Sequence, residues 1–221
     1  MTGFGNIINI VFEKAECRFE KAGCRQNSRH CDAPYGKRLQ ILMSTAAAII
    51  MAAICSASCT KDRLETTYSN QEKKIESFIS QQLQKEGVTV AYANGSNRVT
   101  LVQGEGDELS EKGTVTFFYA AYTFSGSISA SNLFATNHKQ TAEDSSWSGS
   151  EEAGDFEALT MNLKDDEMIK GLKMGLKGVK GGEECYIIFS GKYGFGNRNF
   201  GTVAANSALL YHIWVSSVSN E

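Results

Sequence analysis

Apolar positions along this chain change their period several times, and each change marks an element. From Gln71 to Lys85, Ile75, Phe78, Ile79 and Leu83 recur three and four residues apart, which predicts an amphipathic helix over 71–87 ended by Gly87. The period then falls to two. Val88 to Tyr92 and Arg98 to Val102 flank Asn94-Gly95, the pattern of two strands joined by a tight turn. Thr114 to Phe124 is dense in β-branched and aromatic residues and predicts a central strand. The stretch 136–155, rich in Ser, Glu and Gly, predicts a loop, after which Leu159, Met161 and Leu163 alternate as in a half-buried strand. A short helix over 168–176 and strands over 184–190 and 208–216 complete the series. Strands in one run with a single short helix on one face make an α+β order with an antiparallel sheet, preceded by the N-terminal helix.

Upstream the pattern is of another kind. Lys37 and Arg38 precede an uncharged run from Leu39 to Ser58, and Cys59 then opens a polar stretch beginning Thr60-Lys61-Asp62. A basic flank, an apolar core and small residues before a cysteine describe a secretory signal, and Ser56-Ala57-Ser58-Cys59 resembles a lipobox with Ser56 at the position usually held by leucine. In this reading Cys59 becomes the lipidated first residue of the mature chain. An uncleaved anchor is the competing reading, because about twenty apolar residues suffice to span a bilayer. Both readings place the remainder outside the cytoplasm. Cys17, Cys24 and Cys31 recur every seven residues beside His30, but zinc sites pair their cysteines two to four apart. Residues 1–58 are thus an upstream extension plus leader, 59–70 a tether, 71–87 a helix and 88–217 the main domain.

Removing residues 1–58 leaves 22 − 7 = 15 basic and 25 − 4 = 21 acidic side chains, a balance that argues against a nucleic-acid partner. Only Cys59 and Cys185 then remain, so a lipid on Cys59 leaves no disulfide. No metal-ligand spacing is present: His138 and His212 lie far apart in sequence. Gly175 to Gly182, with Lys177 and Lys180 between them, does not meet the phosphate-loop pattern. Lys170, Lys173, Lys177 and Lys180 read as a solvated face, and Trp147 as either a tucked aromatic or one reaching over a binding site.

The order of glycines and apolar residues from Met168 to Val215 resembles the ligand-binding half of the FKBP-type peptidyl-prolyl isomerases. That family runs V-I-x-G-W-x-x-G-L into M-x-x-G, then a strand leading to I-x-x-x-x-Y-G, a loop with I-P-P, and L-x-F-x-V. The chain has Met168-Ile169-Lys170-Gly171-Leu172, Gly175-Leu176, Val179, Gly182, Ile187-Ile188-Phe189, Phe195-Gly196, Val203-Ala204-Ala205 and Leu209-Leu210-Tyr211. One residue is missing between Gly196 and Val203. Weaker matches at Gly113 to Tyr119, Phe134-Ala135-Thr136 and Leu159 to Leu163 extend the resemblance over 88–217.

The resemblance implies an FKBP-like sheet wrapped on one short helix and a site that isomerises proline peptide bonds without metal, cofactor or nucleophile. It implies a cleft with Tyr119, Phe134, Ile169, Phe195 and Tyr211 as catalytic residues. Leu159, Met168 and Val203 would add to its walls, with Leu172 as its floor and the Ile169 backbone N–H as donor. Leu172, Ala135 and Phe195 stand where the family has tryptophan, an acidic residue and tyrosine. The loss of the carboxylate and the phenol points to weakened catalysis or to binding alone. The implied partners are proline-containing segments of exported proteins, met by a monomer held to the membrane through Cys59. A non-enzymatic chaperone or peptide-binding lipoprotein and a lipoprotein with a closed cleft are the alternatives.

Overall fold

The computed structural model describes residues 61–147 and 156–220; the leader readings for residues 1–58 and the lipidation reading at Cys59 lie outside them. From Thr67 on, the described chain belongs to one compact unit. Helix α1 covers 61–82 and is followed by strands β1 (Thr89–Ala93), β2 (Ser96–Val102), β3 (Thr114–Thr123) and β4 (Leu133–Thr136). Helix α2 (Lys139–Asp144), β5 (Leu159–Asn162), helix α3 (Lys170–Leu176), β6 (Glu184–Phe189) and β7 (Leu209–Ser219) complete the order. The strands pair antiparallel in the order β1-β2-β6-β7-β3-β4. Strand β5 shares the outer edge of β3 with β4.

The β1–β2 turn follows from Asn94-Gly95. Both residues have positive φ, 48° and 101°, the conformation a two-residue hairpin needs to match strand twist. A side chain on Gly95 would also meet the Tyr193 ring, with a Cβ only 2.2 Å from it.

Alternation along the strands divides the core into two layers. Val115, Phe117 and Ala121 of β3, Cys185, Ile187 and Phe189 of β6, and Leu209, Tyr211, Ile213 and Val215 of β7 face α3. Ala120 and Tyr122, Ile188, and Leu210 face the other way and meet Ile75, Phe78 and Ile79 of α1. The central strands are buried on both faces, which explains why β6 and β7 read as nearly continuous apolar runs.

The second layer departs from the sequence expectation of one short helix against one face. Helix α1 covers the outer face of the sheet. It also starts earlier than predicted, so residues 61–70, expected as part of a tether, are helical. These residues carry no apolar period to reveal them, yet extending a helix already held by packing needs no new nucleus. Leu83 is 47 % exposed, because the helix stops at residue 82 and the face it was assigned to ends there. Within the predicted loop 136–155, Lys139–Asp144 forms α2.

Candidate functional site

Two glycines one turn apart decide how closely α3 sits on the sheet. A Cβ on Gly171 would lie 2.3 Å from the Phe189 ring, and one on Gly175 would lie 2.2 Å from Ile187. Strand β2 then ties the helix down by its carbonyls. Buried Ser96 Oγ donates to Gly171 O at 2.7 Å near the helix start, and Arg98 Nη1 donates to Lys177 O at 2.8 Å and Gly175 O at 3.3 Å, carbonyls that the helix end leaves free. Arg98 Nε faces the buried Glu183 carboxylate at 3.3 Å. That carboxylate also accepts Thr100 Oγ1 at 3.0 Å and the Lys180 N–H at 3.0 Å, so the charge pair is compensated on several sides. The result is a short helix fixed at both ends, with Ile169 as its N-cap residue at φ −55° and ψ 130°. The first N–H groups of a helix have no partner within it.

Around that helix start lies an aromatic surface. The Tyr211 ring stacks parallel to Phe189 at 6.1 Å, takes Phe134 edge-on at 6.3 Å and has Tyr119 at 6.3 Å. Phe195 meets Phe134 edge-on at 6.2 Å and stacks on Phe200 at 4.5 Å. Edge-to-face and offset contacts of this kind suit the ring quadrupoles. Leu172, Phe189, Val203 and Tyr211 are buried, whereas Tyr119, Phe134, Leu159, Met168, Ile169, Phe195 and Phe200 pack on the same core and remain partly exposed. Partly open apolar side chains over a buried floor are suited to holding an apolar ligand.

The nine residues singled out from the sequence, Tyr119, Phe134, Leu159, Met168, Ile169, Leu172, Phe195, Val203 and Tyr211, all lie in or against the inner core layer that carries this aromatic surface. Sequence reasoning missed three others. Phe189 and Phe200 extend the aromatic surface; Phe200 stands in the shortened loop, where the family pattern offers no apolar position. Asn137 is the third. It replaces ladder partners where β3 passes from β4 to β5, accepting the Tyr119 N–H at 2.6 Å and donating to Phe117 O at 3.4 Å and Glu157 O at 2.9 Å. Thr136 Oγ1 donates to Tyr119 O at 2.7 Å. Together they set the backbone that carries Tyr119 and Phe134.

Burial pushes the Tyr211 phenol far above its ordinary pKa, with Tyr119 adding to the effect, and burial raises Tyr119 as well. Both remain protonated donors at neutral pH. Ala135 lies opposite Ala121 in the β3–β4 register and packs on the same core, so this position adds no carboxylate. Among the described residues no group of three His, Cys, Asp or Glu side chains is placed to hold a metal ion.

Three other sequence readings resolve elsewhere. Trp147 packs with the α1-side cluster on the outer face, so it does not reach over the aromatic surface. His138 and His212, far apart in sequence, both lie against Trp214, at 3.9 and 3.8 Å between ring centroids. The sheet brings them together by placing β7 beside β3 and its continuation. The lysines of 170–180 stand on a solvated face as read from the sequence, where Lys177 pairs with Glu111, Lys180 with Glu108 at 3.7 Å, and Lys170 lies 5.6 Å over the Tyr193 ring.

Residues 107–216 match the family model described as FKBP-type peptidyl-prolyl cis-trans isomerase. Among solved structures, FkpA from Escherichia coli is similar at 17% identity over 84% of this chain and 74% of its own, with a TM-score of 0.48. A peptidyl-prolyl cis-trans isomerase from Pseudomonas syringae pv. tomato is similar at 17% identity, over 71% of this chain and 96% of its own, with a TM-score of 0.48. The N-terminal domain of FKBP42 from Arabidopsis thaliana is similar at 18% identity, over 62% and 96%, with a TM-score of 0.45. No curated protein sequence matches the chain.

Proposed function

Because residues 107–216 make this chain a member of the FKBP-type peptidyl-prolyl cis-trans isomerase family, we propose that its aromatic surface is a cleft that catalyses Xaa-Pro rotation, weakly, on exported proteins. The observation that carries the reading is the convergence of Tyr119, Phe134, Phe195, Phe200 and Tyr211 at the start of α3.

The barrier to rotation, about 20 kcal/mol, comes from amide resonance. Twisting the amide removes that resonance and makes the group less polar, so an apolar enclosure favours the twisted form over the planar one. The Ile169 N–H and the Tyr119 and Tyr211 hydroxyls supply fixed dipoles for a substrate carbonyl. No residue need be covalently altered, and none of these groups changes protonation at neutral pH.

Weak catalysis follows from Ala135 and Phe195, two apolar side chains where the resembled family has polar ones. Each missing contact is worth about 1–2 kcal/mol where buried. The setting we propose is the cell envelope, with the chain held to a membrane by lipid on Cys59; the motif Ser56-Ala57-Ser58-Cys59 supports it.

The test is cis/trans exchange of an Xaa-Pro peptide with apolar Xaa, measured on residues 60–221 and on a variant carrying Ala135→Asp with Phe195→Tyr. The parent is expected to accelerate exchange slightly. The variant is expected to be about tenfold faster, which corresponds to about 1.4 kcal/mol at the barrier. Apolar peptides that bind without exchange in either protein overturn the enzyme reading and leave a peptide-binding module.

A further inference from the structure

Helix α1 lies on the face of the sheet opposite the cleft, yet it is hydrogen-bonded to the loop that builds the cleft's rim. One stripe of α1 carries Ile75, Phe78 and Ile79 into the outer core, and one to two turns earlier the same stripe carries Gln71 and Tyr68. These two side chains meet the chain where β6 runs out and β7 is about to begin. The Gln71 amide is used at both ends: Nε2 donates to Asn206 O at 2.8 Å, and Oε1 accepts the Gly191 N–H at 2.9 Å. The reversed amide would set donor against N–H and acceptor against carbonyl, so the partners settle its orientation. Tyr68 Oη donates to Asn206 Oδ1 at 2.7 Å.

Asn206 is the base of the loop. Its N–H donates to Gly196 O at 2.7 Å, closing the segment 196–206. Its φ is 59°, a left-handed conformation that a non-glycine residue holds only when its surroundings fix it. Gly191 abuts it so closely that a Cβ there would lie 2.0 Å from Asn206 O. Inside the closed segment, Phe200 and Val203 exchange backbone hydrogen bonds of 2.9 and 2.8 Å, and it is this pair that delivers Phe200 onto Phe195 and buries Val203 in the core. Within the segment Asn199 Oδ1 also accepts the Ala205 N–H at 2.8 Å and Asn197 Oδ1 accepts Asn206 Nδ2 at 3.5 Å, while Asn197, Arg198, Asn199, Gly201 and Thr202 are exposed.

We infer that Tyr68 and Gln71 are positioning residues for the cleft: by pinning Asn206 and Gly191 they set where Phe200 and Val203 stand. Helix α1 is thereby part of the binding site's architecture, and any pull or rotation of α1 is transmitted to the cleft rim through one amide and one hydroxyl. The consequence for catalysis rests on the isomerase reading above; the consequence for the loop does not.

The experiment compares the full chain with Tyr68→Phe, Gln71→Ala, the double variant, Gln71→Glu and the exposed α1 control Lys73→Ala. Amide hydrogen exchange over 196–207 and over the core strands 185–189 and 209–213 is read beside kcat and KM for an apolar Xaa-Pro peptide. In the double variant, exchange over 196–207 is expected to rise about tenfold, with the core strands unchanged, as local opening without global unfolding requires. KM is expected to rise several-fold, with kcat less affected. Gln71→Glu keeps the acceptor for the Gly191 N–H and loses the donor to Asn206 O, so it should fall between parent and Gln71→Ala, and Lys73→Ala should match the parent. A folded double variant whose loop exchange equals the parent's overturns the inference whatever the peptide does. If Gln71→Ala speeds core exchange as much as loop exchange, Gln71 is a general stabiliser, which also overturns it; Tyr68→Phe removes a single hydroxyl and keeps the comparison available if Gln71→Ala does not fold. A parent without isomerase activity sinks the catalytic reading alone, since the loop exchange still decides the positioning role.

Discussion

Gly171 shows how one residue governs the site. It follows Ile169 and Lys170 at the start of α3, and its missing side chain is what lets the helix rest on the fully buried Phe189 ring. That ring is itself stacked on Tyr211, so displacement of α3 disturbs the aromatic surface. Gly171→Ala is therefore expected to destabilise the fold by about 1–3 kcal/mol through overpacking against a ring that cannot retreat. It should also weaken apolar peptide binding. Urea unfolding and peptide titration check both, and an unchanged midpoint would mean that α3 can lift without cost. The glycine itself was legible in the sequence, because it stands in a recognisable order with Ile169, Leu172 and Gly175. Its partner was not: nothing local to residue 171 says that Phe189 lies beneath it.

At the scale of elements, α1 is the addition that the strand pattern does not announce. Its apolar period identifies a helix but not the surface it covers. The outer face of the sheet supplies that surface, through Ala120, Tyr122, Ile188 and Leu210. A domain cut at residue 88, the boundary suggested by the hydrophobic pattern, would leave these side chains open to water. Ile75, Phe78 and Ile79 are each at most 5 % exposed, and burial of such side chains contributes roughly 1.5–3 kcal/mol apiece. The fragment 88–221 is thus expected to lose on the order of 5 kcal/mol against 60–221, seen as a lower denaturant midpoint or as outright unfolding. Equal midpoints would show α1 to be a passenger.

For the whole molecule, pH and compartment are the relevant variables. His212 is enclosed between Tyr186 and Trp214, with His138 on the other side of Trp214, and this burial pushes its pKa down to about 4, against the opposing pull of Glu184 at 2.8 Å. Desolvation lowers His138 as well. Between the ordinary value of 6.5 and about 4 the unfolded chain binds a proton that the folded chain refuses, so stability rises with pH across that window and is lost on acidification. Thermal unfolding at pH 7 and pH 5 should differ by about 1–2 kcal/mol from His212, and His212→Phe should flatten the difference. A variant with the same pH dependence would assign the effect elsewhere. The compartment has its own measurement: metabolic labelling with palmitate should mark the protein and fail on Cys59→Ala, whereas label surviving that substitution would refute attachment there.

Patterns carried by neighbouring residues were determined by the sequence alone. The hairpin at Asn94-Gly95, the strand at 114–123, the short helix after Met168 and the family order of glycines and apolar residues all depend on local conformational preference or on period, and these survive without knowledge of what packs where. The nine residues carried over from the resemblance all lie in or against the inner core layer. Tertiary structure decided what depends on contacts distant in sequence. It placed His138 and His212 on one tryptophan, sent Trp147 to the outer face, and joined Gln71 to Asn206 across 135 positions. It also ended the α1 face before Leu83 and added Phe189 and Phe200 to the site. The physical reason is that periodicity records which side of an element is buried, whereas the identity of the burying partner is set by sheet order and loop closure. Both belong to the folded chain as a whole.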